Sequence, residues 1–280
     1  MPRTDDVEQV TPRKRKSKKS IDVESMLRDV SEQKGGIKLS MYGKSKTGKT
    51  RLACTFPKPL LLLGVEDGTR SVSDVKGVKF LPVTHPDIFD AGVEYAREKK
   101  FKSVVLDTAG GLESLCLMVV LGLDEMPINR KWGMARQQDW GACQQKFKSS
   151  VNEFFKLAKD GIHTVVIAHE KNFNDDEDEE NILVAHVGSA LTPGSVNWLN
   201  GEADFIGQCF IRRKFEVESQ VLIEGEDPEE VEIDTGEKEY CLRIGPHEKY
   251  QTGFRNPSSR DNERPDVIGS PTFAKIKKLV

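Results

Sequence analysis

Hydrophobic and polar positions follow two different periods along the first two thirds of the chain. Short apolar runs, typical of buried strands, are separated by stretches with an apolar residue at every third or fourth position, typical of amphipathic helices. The predicted strands cover residues 37–42, 60–65, 78–83, 103–106 and 164–168, and the predicted helices cover residues 50–55, 86–100, 112–122 and 139–159. Strands that alternate with helices form βαβ units, so the pattern predicts a parallel sheet covered by helices.

The last part of the chain is richer in strand-forming residues. We predict strands at residues 205–212, 215–223, 231–234 and 239–244, with turns at residues 225–228 and 235–236. The predicted fold class is therefore α/β, with a mainly parallel central sheet flanked by helices and a β-hairpin-rich C-terminal extension at about residues 204–256. The predicted domains are a disordered basic tail at residues 1–20 and one domain at residues 21–280, which begins with a short amphipathic helix at residues 21–33.

Composition limits the class of protein. Hydrophobic residues make up 37% and charged residues 31% of the 280 positions, which is enough apolar material for the core of an ordinary domain. The longest apolar runs are too short to cross a bilayer, and the N-terminus lacks the pattern of a secretory signal. Five cysteines without C-x-x-C spacing are typical of free thiols in a reducing cytosol. We therefore expect a cytoplasmic protein with no membrane partner.

The net charge of −3 is unevenly distributed. The first 20 residues contain seven Lys or Arg and three Asp or Glu, so the other 260 contain 35 basic and 42 acidic residues. The basic tail is either a solubilising segment or an arm that contacts nucleic acid. Because the remainder is acidic, binding of DNA would need local basic loops, the tail, or a surface formed by oligomerisation.

One motif carries specific chemical information. Residues 43–50 read GKSKTGKT, which matches G-x-x-x-x-G-K-[ST] and stands between a predicted strand and a predicted helix. In this motif the glycines let backbone N–H groups turn toward an anion, the lysine brings a positive charge to the β- and γ-phosphates, and the last hydroxyl is a ligand of Mg²⁺. The alternative, a glycine-rich turn with a surface lysine, does not account for the flanking elements. The predicted nucleotide-binding residues are Gly43, Lys44, Ser45, Lys46, Thr47, Gly48, Lys49 and Thr50.

Three polar residues directly follow predicted strands, where a nucleotide hydrolase places its chemistry. Asp107 either holds Mg²⁺ together with Thr50 or caps the next helix. Glu66 either orients the attacking water or is an ordinary loop acid, and its neighbour Asp67 competes for the same role. His169 either contacts the γ-phosphate or is an ordinary residue at the end of a strand. Together with Lys49, the residues Glu66, Asp107 and His169 form the predicted catalytic set.

The order of these motifs resembles that of RecA-type ATPases, and most closely that of the phage P-loop proteins called phage nucleotide-binding or RecA-like annealing and recombination proteins. Beyond GKSKTGKT, the matching segments are LLLGVEDG, VVLDTAGGL, TVVIAHEK and LRIGPHEKYQTGFRNP, over roughly residues 36–280. The resemblance implies an enzyme that hydrolyses ATP with Mg²⁺ and acts on single-stranded DNA in recombination or annealing. It also implies stimulation of hydrolysis by DNA and assembly into a homo-oligomeric ring or filament.

The resemblance further implies contacts between subunits. In RecA-like proteins, basic residues of one subunit meet the γ-phosphate bound by the next. Lys249 and Arg255 occupy the C-terminal region from which such residues come, and the alternative is that both are exposed charges on a hairpin.

The resemblance also indicates where DNA would bind. The DNA-binding loops of RecA-like folds follow the strand of the magnesium aspartate and the strand that ends at the γ-phosphate sensor. The first such segment here contains Arg130, Lys131, Trp132 and Arg136, which offer cations for phosphates and a ring for stacking, unless this is a solvated connector. The second contains six consecutive acidic residues, 175–180, which repel phosphates and would either face a protein partner or mimic nucleic acid before DNA arrives.

Three other functions are alternatives. The first is a nucleotide-dependent loader or mediator, which fits the acidic body and the acidic run. Such a protein recruits replication or recombination proteins, for example a single-strand-binding or annealing protein, and has little ATPase activity of its own. A P-loop kinase fits less well, because the segment at residues 172–180 is acidic where an Arg-rich lid is expected. A DNA-packaging motor is also less suited, because we find no length for a nuclease domain.

Overall fold

The computed structural model describes residues 24, 27, 35–123, 135–174, 185–220, 229–255 and 265–280. Gly35–Val280 form one compact unit, and Met1–Lys34 form a separate unit in which Glu24 and Leu27 are described. The predicted basic tail lies outside the described residues, and so does nearly all of the predicted helix at residues 21–33. The following paragraphs concern the larger unit.

A ten-stranded sheet, counted over the described residues, forms the centre of this unit. Its strands are β1 (Lys38–Gly43), β2 (Leu60–Gly64), β3 (Val78–Pro82), β4 (Ser103–Asp107), β5 (His163–Asn174), β6 (Ala185–Ser189), β7 (Phe205–Gln220), β8 (Glu229–Arg243), β9 (Gly253–Phe254) and β10 (Val267–Gly269). The strand order is β10-β8-β7-β1-β5-β4-β2-β3, while β6 pairs with β5 and β9 pairs with β7. The strands from β7 to β3 in this order are all parallel, and β8 and β10 are antiparallel to their neighbours.

Helices cover both faces of the sheet. They are α1 (Lys49–Ala53), α2 (Pro86–Glu98), α3 (Ala109–Val120), α4 (Gln137–Lys156), α5 (Pro193–Glu202) and α6 (Phe273–Lys277). Side chains stabilise their first turns: Thr108 Oγ1 accepts a hydrogen bond from the Gly111 N–H at 3.2 Å, and Asp139 Oδ2 accepts one from the Arg136 N–H at 2.7 Å. None of the described helices combines the length and apolar composition needed to cross a bilayer.

The central strands are buried on both faces, as their continuous apolar runs predict. In β2, Leu61 and Leu63 pack on the side of α2, α3, α4 and α5, whereas Leu60 and Leu62 pack on the side of α1 and α6. The predicted α/β class, with a mainly parallel sheet, flanking helices and added C-terminal strands, is thus confirmed.

The C-terminal extension differs from its prediction in how the strands connect. β7 and β8 form one long antiparallel hairpin, so the predicted turn at residues 235–236 is wrong. Gly236 instead adopts a left-handed φ of 73°, and the pairing register shifts between Arg213 and Phe215, which marks a β-bulge within the hairpin. The other predicted turn, at residues 225–228, lies outside the described residues. The sequence did not predict β6, α5, β9, β10 or α6.

Candidate nucleotide-binding site

The carboxyl ends of the parallel strands meet at one edge of the sheet and form the candidate site. In the pairing register, Gly43 at the end of β1 lies beside His169 in β5, and Gly64 at the end of β2 lies beside Asp107 at the end of β4. The residues at this edge border one cavity of about 900 Å³, within the usual size of a ligand pocket. The cavity is lined by Lys49, Thr50, Glu66, Asp107 and His169, among others.

The loop between β1 and α1 needs its glycines for backbone geometry. Gly48 adopts a left-handed φ of 82° directly before α1, a conformation that residues with a side chain rarely adopt. At Gly43, a Cβ atom would lie 2.3 Å from the Cys209 carbonyl oxygen, so β7 approaches the loop too closely for any side chain. The sequence motif therefore corresponds to a loop whose path depends on the glycine positions.

Lys49 lies inside this loop rather than on the surface. Its Nζ donates hydrogen bonds to the carbonyl oxygens of Gly43 at 2.8 Å and of Lys44 at 2.7 Å, and the residue is buried. Burial lowers the pKa of the Lys49 amine, an effect that the nearby carboxylate of Asp107 opposes. A positive charge is thus held under the loop, close to where phosphates would bind.

Thr50 and Asp107 bring two oxygen ligands together. Thr50 Oγ1 donates a hydrogen bond to Asp107 Oδ2 at 2.7 Å, and Asp107 is buried. Mg²⁺ prefers oxygen ligands, keeps several waters and is usually bound through one or two carboxylates and the phosphates of its nucleotide. Among the described residues, no group of three His, Cys, Asp or Glu side chains could hold a metal alone. The pair therefore fits a magnesium ion that arrives with a nucleotide.

The Glu66 carboxylate is held from two sides. Thr108 Oγ1 donates a hydrogen bond to Glu66 Oε1 at 2.9 Å, and His169 Nε2 lies 3.2 Å from Glu66 Oε2. Asp67, the competing acid, instead accepts a hydrogen bond from Thr69 Oγ1 at 3.0 Å. The geometry favours Glu66 over Asp67 as the residue that orients water, and this role stays a prediction.

The predicted residues for contacts between subunits do not line the cavity. The Arg255 guanidinium donates a hydrogen bond to the Gly201 carbonyl, and its backbone N–H donates to the Asp204 carbonyl at 2.8 Å. Asp204 in turn binds Lys38 at the start of β1, at the opposite edge of the sheet from the P-loop. Lys249 is exposed, and its carbonyl accepts a hydrogen bond from the Val187 N–H in β6. Their proposed action on a neighbouring subunit is untested.

The predicted DNA-binding segment is described only in part. Arg136 is exposed and directly precedes α4, whereas Arg130, Lys131 and Trp132 lie outside the described residues. The acidic run at residues 175–180 also lies outside them.

Several lining residues were not found from the sequence. Thr108 directly follows the predicted magnesium ligand and is the N-cap of α3. A threonine at the start of a predicted helix is a signal that could have located it. Tyr240 and the segment at residues 270–272 also line the cavity, but they are distant in sequence and belong to no motif.

The fold and the site define a class of protein: P-loop nucleotide-binding proteins with a mainly parallel sheet flanked by helices. A family described as AAA domain matches residues 35–255, and the chain belongs to that family. Its members are nucleotide-binding ATPases, so the chain is of that kind. One similar solved structure is the KaiC-like protein of the hyperthermophilic archaeon Pyrococcus horikoshii OT3, with 10% identity and a TM-score of 0.38 over 85% of this chain and 91% of that one. A comparison with curated proteins found no match.

Replacing Asp107 with Asn is expected to stabilise the nucleotide-free protein and to remove stabilisation by MgATP. Burial raises the pKa of Asp107, although the hydrogen bond from Thr50 lowers it. A raised folded-state pKa means that the contribution of this carboxyl to stability is complete at low pH and is lost as the pH rises through the folded pKa. Asn stays neutral, so the variant does not lose this stability as the pH rises. The substitution also removes a charged ligand for Mg²⁺.

Thermal unfolding between about pH 4 and about pH 7 measures this effect, because an unperturbed aspartate titrates near the lower limit. The difference in unfolding temperature between variant and wild type should grow with pH. A variant that is less stable by the same amount at every pH would contradict the assignment of a destabilising buried charge.

Proposed function

We propose that this protein binds MgATP and hydrolyses it while acting on single-stranded DNA in recombination or annealing, as the RecA-like phage proteins that it resembles are expected to do. The observation that supports hydrolysis is the position of the Glu66 carboxylate. Thr108 and His169 hold it in the same cavity as Lys49 and Asp107. A fixed carboxylate at this place is suited to orient water or accept its proton.

Binding of the triphosphate would begin with an exchange of hydrogen bonds at Lys49. The amine now donates to two carbonyls of its own loop, and a phosphate oxygen is a stronger, charged acceptor. The amine is already desolvated, so little hydration has to be removed when the phosphate arrives. Thr50 and Asp107 would hold the Mg²⁺, which would neutralise part of the phosphate charge.

A DNA contact near Arg136 would act at the start of α4, which packs against α3. Residues 121–136 connect α3 to α4, and α3 begins immediately after Thr108. The Thr108 hydroxyl both caps α3 and binds Glu66, so a displacement of α3 alters the position of the Glu66 carboxylate. Stimulation of hydrolysis by DNA would act through this helix.

The test is ATP hydrolysis by the full chain with and without a poly(dT) oligonucleotide, with a duplex of equal length for comparison. We expect stimulation by the single strand that is lost in Lys49→Ala. Trp132→Ala should raise the oligonucleotide concentration for half-maximal stimulation about 5- to 150-fold, the loss that follows removal of one base–aromatic stack. Arg136→Ala should weaken stimulation without changing hydrolysis in the absence of DNA.

Lys159→Ala is the matched control for Arg136→Ala, because Lys159 is an exposed cation on the segment after α4. Nucleotide binding without any stimulation by single strands would contradict the proposed role in recombination.

We also propose a homo-oligomeric ring or filament, in which Lys249 and Arg255 act on the nucleotide of a neighbouring subunit.

A nucleotide-dependent loader or mediator is the second candidate, and the β7–β8 hairpin favours it. Both strands continue well past the P-loop edge, and the basic residues near their base form ion pairs within the hairpin. Arg212 pairs with Glu239 at 2.9 Å and Arg213 pairs with Asp234 at 2.7 Å. These acidic partners offset part of the positive charge, so the hairpin suits a protein partner better than a phosphate backbone. ATP-dependent binding of a single-strand-binding or annealing protein, with no DNA-stimulated hydrolysis, would support this candidate.

A further inference from the structure

The cavity continues past the residues that would bind phosphates and Mg²⁺. On the side of β8 it is lined by Tyr240 and residues 270–272. The triphosphate chemistry described above uses none of these residues. This second end, which we call the distal end, is therefore free to bind a part of the ligand other than the triphosphate.

Tyr240 gives the distal end an aromatic surface. It lies in β8, where it pairs with Ile211 of β7, and its ring contacts the P-loop: a Cβ added to Gly48 would lie 3.0 Å from Tyr240 Cδ1. The residue is 49% exposed, although the ring borders the cavity. Among the described residues that line the cavity, it is the one with a phenyl ring. An exposed aromatic ring beside a phosphate-binding loop offers a flat apolar surface for a nucleobase.

The C-terminal segment forms the wall next to Tyr240. The Ser270 N–H donates a hydrogen bond to the Tyr240 carbonyl at 2.8 Å, and β10 pairs with β8 just before it. The Phe273 N–H donates to Thr55 Oγ1 at 2.8 Å, and the Phe273 ring packs on Phe56 with centroids 4.8 Å apart. The segment is thereby attached to β8 on one side and to the end of α1 on the other.

The helix that follows depends on these contacts. α6 has five residues, which is too short for a helix to be stable by itself in water. Its position therefore depends on tertiary contacts such as those of Phe273 with Thr55 and Phe56.

We propose that the base of the bound nucleotide lies in the distal end against the Tyr240 ring, with residues 270–272 as the neighbouring wall, so that nucleotide binding stabilises the docked C-terminal segment. The inference rests on the nucleotide binding that the proposed function requires. It adds the base-binding residue and a link between nucleotide occupancy and the C-terminus of the chain. It does not depend on DNA.

The first test compares a ligand that has a base with one that has none. Calorimetric affinities for MgATP and for magnesium tripolyphosphate are measured for the full chain without DNA. Tyr240→Ala should weaken MgATP binding about 5- to 150-fold and leave tripolyphosphate binding unchanged. Tyr240→Phe should retain MgATP affinity, because the ring is kept. Tyr240→Leu, which keeps bulk against Gly48 without an aromatic ring, should behave like Tyr240→Ala.

Tyr95→Ala is the matched control, since Tyr95 is 43% exposed on α2 and does not line the cavity. Equal weakening of both ligands in the Tyr240 variants would overturn the inference, because Tyr240 would then act on the P-loop through Gly48. Unchanged MgATP affinity would also overturn it. Neither result depends on ATP hydrolysis or on its stimulation by DNA. Failure of this inference can therefore be distinguished from failure of the proposed function.

The second test follows the C-terminal segment itself. Amide hydrogen exchange of residues 265–280 should be slower with MgATP than with tripolyphosphate at equal occupancy, and this difference should vanish in Tyr240→Ala. Equal exchange with both ligands in the wild-type protein would show that the base does not stabilise the segment, and would overturn that part of the inference.

Discussion

Lys49→Ala is expected to reduce ATP hydrolysis by about 100- to 1,000-fold, the loss that follows removal of a single stabilising donor from a transition state. The side chain is buried under the P-loop with its amine bonded to the carbonyls of Gly43 and Lys44. Lys44 and Lys46 of the same loop are exposed, and the side chain of Lys44 is directed toward Glu170, 3.9 Å away. Substitution therefore removes a charge that the neighbouring cations do not replace.

The same substitution should remove the thermal stabilisation that MgATP gives. A ligand present at about 100 times its Kd stabilises the folded state by about 2.7 kcal/mol, which is readily visible in an unfolding scan. Scans with and without MgATP, together with a phosphate-release assay, measure both effects. Lys79→Ala is the control, because Lys79 is an exposed lysine on β3. A Lys49→Ala protein that hydrolyses ATP within tenfold of the wild-type rate would contradict the site.

The part of the site that follows from the sequence is the part that local rules determine. A glycine-rich loop after a strand, and acids after other buried strands, can be located without a structure. Parallel strands bring their carboxyl ends to one edge, so the proximity of Asp107, Glu66 and His169 follows once the strands are known. The pairing of Gly64 with Asp107 and of Gly43 with His169 shows this directly.

The remaining part of the site depends on contacts between distant residues. Phe273 binds Thr55 across 218 positions, and Tyr240 reaches the P-loop only because β8 pairs with β7, which pairs with β1. No periodicity encodes such contacts. The predicted turn at residues 235–236 failed for a related reason: a glycine in a strand-rich segment indicates either a turn or a bulge, and the pairing partner decides between them.

Glu66→Gln is expected to lower kcat for ATP about 100- to 10,000-fold, the usual contribution of a general base, with little loss of nucleotide affinity. Glutamine keeps the shape of the side chain and one carbonyl oxygen, so the hydrogen bond from Thr108 can persist. It cannot accept a proton from water, and it gives His169 no carboxylate to pair with. Binding of MgATP depends mainly on Lys49, Thr50 and Asp107, which the substitution leaves in place.

Asp67→Asn is the matched control, because it makes the same chemical change one residue later. Asp67 binds Thr69 and has neither Thr108 nor His169 as a partner, so its substitution should lower kcat less than about tenfold. Single-turnover hydrolysis and calorimetric binding of MgATP, measured on both variants, separate chemistry from affinity. If Asp67→Asn abolished turnover while Glu66→Gln retained it, the roles of the two acids would be exchanged. The pair Thr108 and His169 would then serve to fix the loop after β2, and the attacking water would have to lie on the Asp67 side of the cavity.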